Sequence, residues 1–478
     1  MHRRSPGPLL IILFCAALTL LWIPGVKYPV VSDTVNYALL GRSLWLNGMY
    51  ELYGQPYANH LPLHPFLSFP LIPIFGFHLG MHVTTLLAGF LVLIATFLLT
   101  RRVIKTSSHI NRGHGSQQLT TGSGPRHSSF CTTVAALTAA AVLLHPSFIL
   151  MSMLGSADLL FATLFLFSLF FFLKAEDDER WYLAAGITAG LSCLTRYNGL
   201  PLFPLFLFWT WWARRKDLTN KWFGCGIGIG IGIASMWFFR NYLVFGNAFH
   251  SNYTAELAQE APNPVVMFFR NILYYGNPIH NVFPFLFLFA LIGLRRHAKH
   301  YPFIVLAMLA GFSLSMIWWV QAIRFMFPGF VLLLFFAVLG LIDVFLYLKK
   351  SSVLVTLLIV AGISLQSVSV CLYTYGECNA WFDNSFGFLP KNMGLTPEGF
   401  YAWHKARNYI NEHGEQGATV YYEQPEEAEG VFRPDFRMKN DQAICPAYKI
   451  TQRPAQEEEI VFETEEWPVT AVVRVGCF

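Results

Sequence analysis

Residues 32–66 read SDTVNYALLGRSLWLNGMYELYGQPYANHLPLHPF, and they begin just where the first apolar run of the chain ends. Asp33 stands at the start, and Tyr37, Leu40 and Leu44 follow at helical spacing. That pattern predicts an amphipathic helix and loop resting on a membrane surface. Ionisable groups at that depth lie where lipid, water and protein meet, which makes them functional candidates.

Working outward, the 478 residues are 54% hydrophobic and only 13% charged, with 45 phenylalanines, a composition that points away from a soluble globular protein. Repeated apolar runs are long enough to cross a hydrocarbon layer about 30 Å thick. The spans fall at about 8–26, 79–100, 130–150, 157–174, 181–198, 200–213, 222–240, 278–294, 301–320, 324–348 and 352–374. The pair at 181–213 is interrupted by Arg196, Asn198 and Pro201. His2-Arg3-Arg4 before an apolar core also fits a secretory signal, but the many later spans favour an uncleaved first helix.

Basic residues favour the cytoplasmic ends of spans. With the N-terminus inside, the segments 101–129, 174–180, 214–221, 295–300 and Lys349-Lys350 are inner and basic. The outer segments hold few cations, among them Arg196, Arg240 and Arg324. An odd number of spans places the C-terminus outside. The protein is expected to be integral to a plasma or inner membrane.

From Glu377 onward the composition changes: 17 of the 28 acids lie there, in clusters such as Glu426-Glu427 and Glu457-Glu458-Glu459. Such a tail is a solvated unit. Residues 396–411 have helical spacing, and 418–422 and 469–475 read as strands. The expected fold class is therefore an all-α polytopic membrane bundle over residues 1–376, with interfacial helices in its first outer loop. A small α/β extracytoplasmic domain over 377–478 follows it. Cys378, Cys445 and Cys477 leave room for a disulfide there, but three is an odd number and no metal-ligand spacing is present.

Eleven acids remain in the membrane portion, and six of them fall at the inner face. Of the outer five, Asp33 and Asp158 sit at span ends among small or apolar neighbours, where a charge needs a partner or a task. Asp158, in Ser156-Ala157-Asp158, also fits the first turn of a helix, and Asp33 also fits an ordinary interfacial acid. Arg196, Arg240 and Arg324 lie at the outer ends of three different spans. Each could snorkel to lipid headgroups; together they could bind a phosphate through charge-assisted, bidentate hydrogen bonds. His60, His64 and Tyr37 are further candidates for orienting a substrate, set against plain hydrogen bonding and headgroup anchoring.

Asp33 with Asn36-Tyr37-Ala38, the Pro-rich LPLHPFLSFPLIPIFG, the SAD ending at Asp158, TRYNGLPLFP from Thr195, RNYLVFGNAF from Arg240 and RFMFPGFVLL from Arg324 occur in an order that carries a family likeness. In that order and spacing, over about residues 8–350, the chain resembles the C-type multispan glycosyltransferases. It is most similar to bacterial relatives of the protein O-mannosyltransferases and lipid A aminoarabinose transferases.

The resemblance implies transfer of a sugar from a polyprenyl-phosphate carrier to an acceptor hydroxyl on the extracytoplasmic side, with inversion at the anomeric carbon. The acceptor would be a lipid, a glycan or a protein, and membrane lipids surround the site. No nucleic-acid partner is expected. The first-loop acid of the family maps onto Asp33 as general base. Many relatives have Asp-Glu where this chain has Asp33-Thr34, which leaves a second acidic role to Asp158 or to none. Arg196, Arg240 and Arg324 are then the cations for the leaving phosphate. A divalent metal could share that work, and whether one is needed stays open.

GCGIGIGIGI from Gly224 looks like a dinucleotide loop, but it lies inside an apolar span with no strand before it, so helix packing through small residues is expected. The Ser/Gly/His-rich stretch 106–129 reads as a flexible inner loop. The rival functional classes are a transporter or flippase of a lipid-linked sugar and a noncatalytic assembly protein on the same fold. A transporter would hold its charges near the bilayer midplane and show repeated halves, whereas here the charges gather at outer span ends.

Overall fold

A computed structural model of the chain describes residues 7–23, 33–52, 54–110, 125–251, 253, 263–275, 284–318, 323–347, 409–410, 413 and five short strands between 419 and 475. The first part is a bundle of helices. It opens with α1 (Gly7–Trp22), α2 (Asp33–Asn47), a two-residue hairpin of β1 (Glu51–Leu52) and β2 (Gln55–Pro56), and the short α3 (Leu63–Ser68) and α4 (Ile72–Phe75). The long α5 (Phe77–Ile110), α6 (Pro125–Leu143), α7 (Pro146–Met153), α8 (Asp158–Lys174), α9 (Trp181–Cys193), α10 (Leu202–Ala213) and α11 (Lys221–Phe245) follow. After them come α12 (Pro264–Tyr275), α13 (Pro284–His297), α14 (Pro302–Ser313) and α15 (Phe327–Tyr347).

Among the described residues, three helical stretches, Leu79–Thr106, Lys221–Phe245 and Arg324–Tyr347, are each long and apolar enough to cross a membrane alone. The other spans are shorter or broken, and the breaks have local causes. The expected span 130–150 is two helices, because Pro146 withholds a backbone N–H and forces His145 into an extended conformation at φ −76°, ψ 124°. The interruption expected in 181–213 is present: α9 stops at Cys193, Arg196 is extended, a 3₁₀ turn covers Tyr197–Gly199, and α10 restarts after Pro201. The loop expected at 106–129 is shorter than the composition suggested, since α5 runs to Ile110 and α6 begins at Pro125.

The bundle core is aromatic. Phe172 stacks on Phe206 at 4.3 Å and on Phe303 at 5.3 Å, joining α8, α10 and α14. Near the C-terminal ends of α5, α8 and α10, Arg102 donates to Asp177 at 2.6 Å and to Glu176 at 3.2 Å, and Arg214 pairs with Glu176. The glycine run of α11 is helical. Gly226 and Gly230 lie against Gly186 and Gly190 of α9 so closely that a Cβ at either would strike the facing backbone, whereas Gly224, Gly228 and Gly232 face open space. This is the small-residue packing expected of the run.

In the tail, β3 (Thr419–Tyr422), β4 (Arg437–Met438), β5 (Ala447–Thr451), β6 (Glu459–Glu463) and β7 (Ala471–Val475) form one sheet in the order β4-β3-β5-β7-β6. β3 runs parallel to β4 and β5, while β7 is antiparallel to β5 and β6. Two of these strands coincide with the stretches read as strands at 418–422 and 469–475. The expected span 352–374, most of the helix at 396–411 and the three tail cysteines lie outside the described residues.

Candidate active site

Two carboxylates begin two helices, Asp33 on α2 and Asp158 on α8, where the helix dipole favours negative charge. The segment 154–158 brings their helices together. Thr34 Oγ1 donates to Leu154 O at 2.7 Å, and His64 Nε2 donates to Gly155 O at 3.0 Å. Gly155 sits at φ +64°, a conformation that costs glycine little. α2 can lie on α3 because Gly41 has no Cβ to meet Pro65 O.

The two acids differ in exposure. Asp158 is 0% exposed and ion-paired with Arg196, and its Oδ2 has no hydrogen-bond partner among the described residues. The Asp33 side chain is 38% exposed and flanked rather than clasped, with His60 Nε2 3.7 Å from Oδ1 and Arg324 Nη1 3.8 Å from Oδ2. Burial pushes the Asp33 carboxyl up, but the attraction of His60 in its protonated form and of the Arg324 and Arg196 guanidiniums outweighs it and leaves the group below its ordinary value. Burial pushes the His60 imidazole down against the pull of Asp33, so His60 is mainly neutral at pH 7. His64, enclosed beside Gly155, is pushed down by burial to about 4.

One aromatic ring links the two acid–arginine pairs. The guanidinium of Arg196 lies 4.8 Å from the centre of Phe325, and that of Arg324 lies 5.0 Å from the same ring. Phe325 is fixed by its backbone, whose carbonyl accepts from Asn198 Nδ2 at 2.9 Å and Ser315 Oγ at 3.1 Å. The buried Asn271 of α12 donates to the carbonyls of Ser315, Met316 and Trp318 and so holds the turn that carries Ser315. The structure thus brings together Asp33, His60, Arg324, Arg196 and Asp158. Tyr37 packs its ring on both His60 and His64, with centroids 4.8 Å apart in each case.

Arg240 is engaged elsewhere. It donates to Tyr57 O at 2.8 Å and Tyr50 O at 2.9 Å, on either side of the β1–β2 hairpin, and rests on Trp237. Tyr50 donates its hydroxyl to His60 O at 2.8 Å. Tyr253 OH lies 3.4 Å from His60 Nδ1.

Phe325, Asn198, Asn271, Tyr50 and Tyr253 did not emerge from the sequence. Phe325 was adjacent to a candidate arginine, but an aromatic beside a span end is common here and nothing set it apart. α12 had a readable signal. Its exposed side is apolar (Val265, Phe269, Leu273) and its buried side carries Asn271, the reverse of a soluble helix and fitting for one that lies in the membrane interface.

Asp33 and Asp158, which would supply carboxylates to a divalent ion, already face cations: Arg324 and His60 lie beside Asp33 and Arg196 pairs with Asp158, and each guanidinium also feels the other carboxylate. Among the described residues no three His, Cys, Asp or Glu side chains converge as a metal site.

Residues 127–239, which include Asp158 and Arg196, match the family model described as dolichyl-phosphate-mannose-protein mannosyltransferase. The crystal structure of ArnT from Cupriavidus metallidurans bound to undecaprenyl phosphate superimposes with a TM-score of 0.64 at 14% identity, covering 99% of each chain. The chain has the fold of the C-type multispan glycosyltransferases. The apo form of the same ArnT superimposes with a TM-score of 0.61 at 13% identity, over 98% of this chain and 99% of that one. The S. cerevisiae protein O-mannosyltransferase Pmt1-Pmt2 complex bound to the sugar donor aligns with 52% of this chain and 34% of its own, at a TM-score of 0.36 and 16% identity. No curated protein matches this chain by sequence. The fold match and the apolar helices make it an integral membrane protein.

Proposed function

We propose that this protein transfers a glycosyl group from a polyprenyl-phosphate sugar to an acceptor hydroxyl, with inversion, on the extracytoplasmic side of the membrane. The observation that carries the reading is the part-exposed Asp33 carboxylate set beside Arg324, with Arg196 on the same Phe325 ring. A base and two guanidiniums at one place are what such a transfer needs.

In the reaction the acceptor oxygen attacks the anomeric carbon as its proton passes to Asp33. The bond from the anomeric carbon to the phosphate oxygen breaks, and the electron pair leaves with the polyprenyl phosphate. A positioned base contributes about 10²–10⁴-fold to such a step. The charge that grows on the leaving phosphate is met by Arg324, with Arg196 behind it. Asp158, wholly buried against Arg196, is assigned as that arginine's counter-ion rather than as a second catalytic acid. Arg240 is assigned to holding the first outer loop rather than to the phosphate.

The basic segments support an N-terminus on the cytoplasmic side and the tail sheet, as a domain from about residue 377, on the side of the active site. Neutral His60 and the ring of Tyr37 would border the acceptor. The decisive assay supplies candidate lipid-linked sugars to the purified protein and measures released polyprenyl phosphate. Release by the wild type and its loss in Asp33→Asn are expected; undiminished transfer by Asp33→Asn would remove the base from the mechanism.

A further inference from the structure

The polar cluster contains two carboxylates, Asp33 and Asp158, and two guanidiniums, Arg196 and Arg324, beside a mainly neutral His60. Its formal charge is zero, so a phosphate gains little from it unless one arginine leaves its carboxylate. The two pairs are not equally able to open. Asp158 is 0% exposed, and removing Arg196 would strand a buried charge. Arg324 and Asp33 are 30% and 38% exposed, lie 3.8 Å apart, and form the kind of pair that contributes little to stability. Arg324 also has a second support, since its guanidinium rests on Phe325, whose carbonyl is tied down by Asn198 and Ser315.

Building on the transfer reading above, we propose that Asp33 and the donor phosphate compete for Arg324, so that donor binding draws the arginine from the carboxylate and frees the base. Before the donor arrives, Asp33 is faced by Arg324, Arg196 and His60, and Arg324 in turn is faced by Asp158 as well as Asp33, with Tyr37 and Tyr253 completing the group around it. Once the phosphate has taken Arg324, the carboxylate has lost a neighbouring cation and gained a neighbouring anion. Both changes make it a stronger proton acceptor. The base is thereby strengthened only when a donor is in place, and no atom beyond those of the bound donor is required.

Two measurements test this. The first is equilibrium binding of farnesyl phosphate to the full-length protein in detergent at pH 7.5, for wild type, Asp33→Asn, Arg324→Ala and the double variant. Asp33→Asn removes the competitor and should bind about three- to fivefold more tightly, the scale of an exposed ion pair. The same substitution in the Arg324→Ala background should change nothing. Unchanged or weaker binding by Asp33→Asn overturns the proposal, as does equal tightening without Arg324, which would mean general repulsion between carboxylate and phosphate.

The second measurement compares pH profiles, because kcat/KM reports groups of the free enzyme and kcat those of the complex. In the wild type the acid limb of kcat should lie at higher pH than that of kcat/KM, and in Arg324→Lys, which keeps the charge, the order should persist. Coincident limbs in the wild type overturn the proposal. The two arms also separate failures. Phosphate competition without any sugar transfer sinks the transferase reading alone, whereas transfer without competition sinks only the release of the base.

Discussion

Arg240 reaches the carbonyl of Tyr50 at 2.9 Å, and Tyr50 passes the constraint on by donating its hydroxyl to His60 O at 2.8 Å. His60 then faces Asp33. An arginine outside the polar cluster therefore helps to hold His60 beside Asp33, the proposed base. Arg240→Ala should lower kcat/KM by about 10–100-fold, the scale of a small misplacement of a catalytic group. Limited proteolysis should at the same time begin to cut near residues 50–57. A rise in donor KM alone, with the loop as protected as before, would return Arg240 to the phosphate.

The acid limb of transfer should lie low. In the proposed transfer Asp33 would act as a base only when ionised, and its neighbours hold its carboxyl below the ordinary value of about 3.9. The sign follows: a depressed carboxyl is ionised and stabilising above that value, and both its basicity and its ion pair are lost as pH falls through the folded-state pKa. The kcat/KM profile should be level from about pH 7 down to about 5 and fall only below about 4. A limb near 6 would point to His60 as the titrating group instead.

Asp158→Asn should act on stability first. The substitution leaves Arg196, 20% exposed, without its counter-ion at the start of α8, and losing one partner of a buried pair costs about 3–5 kcal/mol. Thermal unfolding in detergent should show the loss. Asp158→Asn combined with Arg196→Gln should be less damaging than the sum of the single changes, because the stranded charge is gone. Additive losses would mean that the pair is not coupled.

The sequence carried the architecture where physics is local. Apolar runs and the break before Pro201 could be read because each depends on a few neighbouring residues, whereas the span expected at 130–150 ran straight across the break at Pro146. Asp33, Arg196 and Arg324 could be singled out for a related reason, since a charge at a span end is conspicuous in a chain with so few. What could not be read was pairing. Asp158 and Arg196 are 38 residues apart, and Arg240 lies 183 residues from the carbonyl of Tyr57. Nothing in residue type distinguishes a guanidinium bound for phosphate from one that holds a loop. The same limit hid Phe325, whose role comes from the two cations placed on its ring rather than from anything in its own neighbourhood.

The glycines of α11 give a prediction that is independent of the chemistry. Gly226 and Gly228 are two residues apart in one helix and have the same intrinsic cost, yet Gly226 lies against the backbone of Tyr182 on α9 while Gly228 faces open space. Alanine is the better helix former by about 1 kcal/mol. Gly228→Ala should therefore leave stability unchanged or raise it slightly. Gly226→Ala must push α9 and α11 apart, and overpacking of this kind costs about 1–3 kcal/mol. Parallel thermal unfolding of the two variants measures the difference directly. Equal effects would mean that these helices do not meet through the 226/230 face, and the path of the chain that carries Arg196 toward Asp158 would need to be redrawn.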